Sequence, residues 1–253
     1  MQEIRRAEPP KEKPENASPI NIYRLSEMTP NEKAAILNRS RADIDEIKQQ
    51  IVPIIKDVKD RGDGAILEYL ERFDKVKLTR RDLVVSEDDI KEAYVNTDPT
   101  VLDAIKRQIE LSRAFHRTQL SHVDMRWEKE ISPGVMLGQK KTSIESVGLY
   151  VPGGTAPYPT VMQILAVPAK EAGVKRVVGT VSPTRKNYEV IVAGKEAGAD
   201  EMYRLSGVAA IAALTYGTET IKPVDKIVGP GNKYVTAAKE AVFGDVAIDM
   251  PAG

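Results

Sequence analysis

From Val147 onward the chain alternates short apolar runs with helical stretches, and that alternation leaves few architectures open. Strand candidates are 147–151, 176–181, 201–205, 226–228 and 246–249. Helix candidates between them are 160–172, 188–197, 208–216 and 233–242. Strands joined through helices make a parallel sheet with right-handed crossovers. The strands are nearly all apolar, as strands covered on both faces must be. Gly173 and Gly198 stand where helix C-caps fall.

The turns of this half carry the functional signal. Val147-Gly148-Leu149-Tyr150-Val151 is a buried strand that stops at Pro152, and Gly153-Gly154 follow before the next helix. Without a Cβ, those glycines let the chain turn sharply and let a ligand approach the backbone. Ser206-Gly207 and Gly229-Pro230-Gly231-Asn232 also follow a strand and precede a helix. In an open parallel sheet all three turns fall outside the carboxyl ends of the strands, where α/β folds bind ligands. Three glycine turns at one edge point to a nucleotide-sized crevice. The Gly-x-Gly-x-x-Gly fingerprint is absent, so the expectation is a Rossmann-like half domain. Taken singly, Gly153-Gly154 equally suits an ordinary turn, Tyr150 a core tyrosine and Asn232 a helix N-cap.

The first half reads as mainly helical. Residues 1–19 carry four prolines among charges and are expected to be a disordered tail. Residues 20–25 suit a short strand or arm, and Asn31 an N-cap for a helix through Leu37. Apolar positions from Ile44 to Val58 keep one helical face over 43–61, with a kink or break expected at Pro53. Gly62-Asp63-Gly64 reads as a turn, 65–73 as a helix, and 76–78 and 83–85 as short strands. Ser86 and Asp98-Pro99 mark two further helix starts. Residues 125–131 and 135–139 read as a hairpin, with Trp127 a packing anchor rather than a ligand platform.

Composition excludes several functions. Lysine plus arginine (37) equals aspartate plus glutamate (37), which gives no electrostatic footprint for nucleic acid or an acidic membrane. There is no cysteine among the 253 residues, so disulfides and thiolate metal sites are excluded, in keeping with a reducing cytoplasm. No apolar run approaches a membrane span, and no signal-peptide core is present. The two histidines, His116 and His122, are six residues apart, which is not a one-turn ligand spacing.

The motifs VGLYVPGG (147–154), AIAALTYGTE (210–219), VDKIVGPGN (224–232) and AIDMPAG (247–253) closely resemble histidinol dehydrogenase. RGDGAILEYLERFD (61–74) and SRAFH (112–116) extend the resemblance into the first half. It implies an α/β fold of two incomplete Rossmann-like parallel-sheet domains. Residues 147–253 correspond to the NAD-binding one. Residues 20–146 correspond to a mainly helical first part of the other, with extra helices and a hairpin. It further implies a cytoplasmic, zinc-dependent homodimer that oxidises L-histidinol to L-histidine through the aldehyde, with NAD as cofactor.

Residue by residue, the resemblance places Tyr150, Asn232, Gly153 and Gly154 at the cofactor. Ala209 stands where the family has a glutamine within GGAQAIAAL, and Ser206 replaces one of that motif's glycines. A methyl group neither donates nor accepts, which removes a hydrogen bond worth on the order of 1 kcal/mol. The family's zinc ligands (glutamine, histidines and aspartate) and its glutamate–histidine pair follow the last motif, after Gly253. No catalytic or metal-ligating residue is therefore assigned within this sequence. The expectation is little or no activity for this chain by itself. The alternatives are a catalytically incomplete remnant, a split-enzyme half needing a complementing chain, or a protein that keeps only the scaffold.

Overall fold

The computed structural model describes residues 23–37, 44–153 and 156–250. The expected tail (1–19), most of the expected arm and Gly154 lie outside them. Residues 23–37 belong to a unit separate from residues 43–253. Leu25 to Glu27 form a turn, so no strand reaches Leu25. Helix α1 (Pro30–Leu37) starts one residue before its expected cap at Asn31. Thr29 is the cap: its hydroxyl donates to Glu32 Oε2 at 2.8 Å, and Glu32 N–H donates back to Thr29 Oγ1 at 3.3 Å. The pair is a capping box, and proline suits the first helical position.

In the larger unit, α2 (Ile44–Arg61) runs unbroken through Pro53. The carbonyl that Pro53 cannot serve belongs to Gln49, and both residues lie on the exposed side of the helix, where that carbonyl is open to solvent. Gly62 turns the chain at φ 57° into α3 (Asp63–Tyr69), which widens into a π-helical turn over 70–74. Asp63 is fully buried. Its N–H donates to Glu219 Oε2 at 2.9 Å, and its Oδ2 accepts from Thr220 Oγ1.

Residues 76–78 pair with nothing as a strand. After α4 (Arg80–Leu83), Val84 makes a single antiparallel bridge to Tyr203, and Val85 N–H donates to Met202 O at 2.9 Å. That short bridge covers an edge of the main sheet. Helix α5 (Glu87–Asn96) opens on a Ser86–Asp89 capping box, and α6 (Pro99–Ser121) on Asp98. The hairpin β1 (Arg126–Ser132) and β2 (Val135–Lys140) forms close to the expected span. Both its faces are exposed, and Trp127 is no packing anchor: it is 46 % exposed and donates to Gln139 across the strands. No described layer covers it.

The remaining elements alternate as expected: β3 (Ser146–Leu149), α7 (Pro159–Glu171), β4 (Arg176–Val181), α8 (Tyr188–Ala197), β5 (Glu201–Arg204), α9 (Gly207–Tyr216), β6 (Lys226–Val228), α10 (Lys233–Ala241) and β7 (Ala247–Ile248). The five strands are parallel in the order β5-β4-β3-β6-β7. This is one half of a doubly wound sheet, with its switch point between β3 and β6. Gly198 is the C-cap of α8 at a left-handed φ of 94°, and Gly173, at φ 85°, stands one residue past the Ala172 C-cap of α7. Helices α5 and α6 pack on α7 and α8, and α2 packs on α9 and α10. The sheet therefore has two helical layers on each side. Val177, Leu149 and Ile227 at its centre are fully buried. Each such side chain contributes about 1.5–3 kcal/mol relative to exposure.

Candidate functional site: a crevice at the switch point

Tyr150 is the first residue after β3, at the switch point. Its backbone N–H donates to Val228 O at 2.8 Å, which carries the β3–β6 pairing one residue past the strand. Its phenol oxygen accepts from Gly207 N–H at 3.2 Å, in the first turn of α9. A Cβ on Gly229 would stand 2.2 Å from Tyr150 O, and Gly229 holds φ 124°. One tyrosine thus touches the turns after β5 and β6 as well as its own. Burial pushes its phenol up to about 12, with the charge of Asp74 adding to the shift.

The N-terminus of α9 is shaped by two residues. Ser206 occupies the cap position but caps nothing, because its hydroxyl donates to Asp74. Asp74, half-buried at the end of the π-helical turn, has its carboxyl raised by burial against the lowering effect of Ser206. Helix geometry leaves the N–H groups of Val208 and Ala209 without an intrahelical acceptor. Ala209 itself is 5 % exposed.

Gly153 is fixed by packing rather than by its φ. A Cβ there would lie 2.3 Å from the Ser182 Cβ, just past the end of β4. Next to it, Val151 N–H donates to Thr180 Oγ1 at 2.9 Å. Asn232 caps α10, its Oδ1 accepting from Tyr234 and Val235 N–H at 3.0 and 3.1 Å. Its side-chain amide stays available on an exposed residue.

The turn before Asn232 is clamped by residues that sequence reasoning missed. Asp249 accepts from Gly229 N–H at 2.7 Å, and Lys239 donates to Gly229 O at 3.0 Å. Lys239 and Asp249 also pair directly, and the lysine is 3 % exposed. The signal for Lys239 was its position four residues after Val235, on the buried face of α10. Asp74 and Thr180 gave no comparable signal.

The structure therefore brings Tyr150, the Gly207–Ala209 turn and the Gly229 turn together, with Gly153 against β4 beside them. Asn232 stands at the far end of the Gly229 turn. The arrangement offers backbone donors, a phenol and an amide: it suits binding and orientation of a polar ligand. His116 and His122 hydrogen-bond locally, to Gln119 Oε1 at 2.7 Å and to Thr118 O at 2.8 Å. Among the described residues no three His, Asp or Glu side chains are grouped to hold a metal, so these residues alone do not fit a zinc centre.

Fold and site define a Rossmann-like α/β protein with an open crevice where the strand order reverses. A sequence profile described as histidinol dehydrogenase matches residues 37–253, and the chain belongs to that family. The histidinol dehydrogenase of Methanothermobacter thermautotrophicus is 43 % identical over 235 residues, covering 92 % of this chain and 54 % of that protein. That of Geobacillus kaustophilus is 47 % identical over 212 residues, 83 % of this chain and 49 % of the relative. A crystal structure of histidinol dehydrogenase from Elizabethkingia anophelis superposes with a TM-score of 0.76 at 35 % identity, covering 82 % of this chain and 48 % of that one. The chain thus spans about half the length of the relatives it matches.

Proposed function

We propose that this chain is the nucleotide-holding part of an enzyme that oxidises L-histidinol to L-histidine through the aldehyde, with NAD in the crevice around Tyr150. The observation that carries the reading is the meeting of strand-to-helix turns at Tyr150, on the switch point of a doubly wound sheet. Residues 147–253 are the NAD-binding domain in this reading, and 20–146 the first part of its companion. Tyr150, Asn232, Gly153, Gly154 and the Ala209 turn hold NAD, which supplies the hydride acceptor. The chain's own part is to bind and orient. A cytoplasmic setting agrees with the lack of cysteine and with the lack of a described helix able to cross a membrane.

A second reading, a remnant or split-enzyme half that keeps the NAD scaffold, is favoured by one observation: the described residues do not form a zinc centre. A partner chain, whether a second copy or a complementing one, suits the exposed Leu111, Phe115, Ile131 and Met136, which are 55–60 % open to water. The experiment is titration of the purified chain with NAD, followed by histidinol turnover with zinc, alone and with a separately made second half of a relative. NAD binding with turnover only in the mixture supports the split half. Turnover by the chain alone overturns the second reading. No binding at millimolar NAD overturns both.

A further inference from the structure

One charge at the crevice has no counter-charge among the described residues. Asp74 is half-buried at the close of the π-helical turn, and no lysine or arginine there pairs with it. The two cations nearest to it in sequence are engaged elsewhere. Lys75 Nζ donates to Arg72 O at 2.8 Å, and the Arg72 guanidinium lies 5.1 Å from the centre of the Phe73 ring. Ser206 donates to Asp74 Oδ2, while Oδ1 accepts from no described residue and remains open to water. The backbone that presents this carboxylate is strained. Lys75 holds a left-handed φ of 59°, which among the described non-glycine residues only Asn187 shares. π-helical turns and such backbone outliers gather at binding sites.

A half-buried carboxylate without a cation costs free energy that hydrogen-bond donors on a ligand return. Its position says which donors. Asp74 meets Ser206 at the start of α9, and its charge acts on the Tyr150 phenol at the switch point. In a doubly wound sheet, an acid near the end of the strand beside the first one receives the ribose hydroxyls of NAD. β4 is that strand, and after it the chain reads Ser182-Pro183-Thr184-Arg185-Lys186, with no acid. A vicinal diol offers a carboxylate two O–H donors, in charge-assisted bonds stronger than neutral ones. A phosphate ester in the same place brings like charge against it.

We propose that Asp74, oriented by Ser206, receives the adenosine ribose hydroxyls of NAD and is the residue by which the crevice selects NAD over its 2′-phosphorylated form. The proposal rests on the nucleotide reading of the crevice, and its test separates the two. The full chain is titrated by calorimetry with NAD, with NADP and with the NAD analogue that lacks the adenosine 2′-hydroxyl. The same is done with Asp74→Ala and with Asp74→Asn, which keeps the side chain's shape and still accepts from Ser206. Each variant is checked for folding by circular dichroism. In the parent chain NAD should bind on the order of ten-fold tighter than either of the others, the worth of one bond to a charged acceptor. Asp74→Asn should weaken NAD and narrow its lead over NADP, and Asp74→Ala should erase discrimination among the three. A residue that merely held the fold would weaken all three ligands alike, so a uniform loss overturns the proposal. So does a parent chain in which NADP or the analogue matches NAD, or a preference for NAD that survives Asp74→Ala. Should Asp74→Ala fail to fold, an unchanged lead of NAD over NADP in Asp74→Asn overturns it. If NAD does not bind the parent chain at millimolar concentration, the crevice reading fails and the proposal falls with it. NAD bound without discrimination leaves the crevice reading standing and sinks the proposal alone.

Discussion

At the scale of single residues, two glycines and one alanine decide most of what the crevice can do. A Gly229→Ala substitution places a methyl group 2.2 Å from Tyr150 O at φ 124°. It should cost about 2–4 kcal/mol, read as a lower denaturant midpoint. Gly64 is the contrast, with no heavy atom within 4 Å of an added Cβ and an ordinary helical φ. Gly64→Ala should stabilise by about 0.5 kcal/mol. Ala209→Gln regains one hydrogen bond of roughly 0.5–1.5 kcal/mol and should tighten NAD binding several-fold by calorimetric titration. No change in affinity with an unaltered melting temperature would remove Ala209 from the cofactor's contacts. Tyr150, Ala209 and Gly153 were legible because each lies in a short motif beside a turn. Asp74 was not: its meeting with Ser206 spans 132 positions, and no local pattern encodes it.

At the scale of elements, the sequence told most where periodicity and chemistry agreed. The alternation from 147 to 249 named every strand and helix of the sheet to within a residue or two, because buried strands and capped helices leave dense signals. It failed where pairing rather than composition decides. Residues 76–78 look like a strand but have no neighbour to pair with. Thr29 outcompeted Asn31 because only Thr29 has a glutamate three residues on. The connection between α10 and β7 carries the next prediction. Asp249→Ala leaves Lys239 buried without its carboxylate and frees Gly229 N–H. About 2–4 kcal/mol should be lost in urea denaturation, since an orphaned buried charge costs more than its pair contributes. The double variant with Lys239→Met should recover a large part of that loss. Full additivity of the two single effects would show that the clamp is not a unit.

At the scale of the whole molecule, alkaline pH tests how tightly the layers hold. Burial pushes the phenols of Tyr150, Tyr203 and Tyr216 each up to about 12, from an ordinary value of 10. A raised folded value contributes stability that is fully present below pH 10 and is lost as pH rises toward 12. Melting temperature should therefore fall through that window, with tyrosinate absorbance from these three residues appearing only as pH approaches 12. Simultaneous ionisation of all tyrosines near pH 10 would contradict it. A different consequence follows from the bond between Asp63 N–H and Glu219, which joins positions 156 apart. Helices α2 and α3 are made early on the ribosome, yet the surfaces that cover them, α9 and α10, are made late. Closing so long a loop before its contacts exist has an entropic cost and no return. The first helices must therefore wait as an uncovered nascent segment. In a series of arrested ribosome–nascent chains, protease resistance of residues 44–69 should appear only once residues 207–241 have left the exit tunnel.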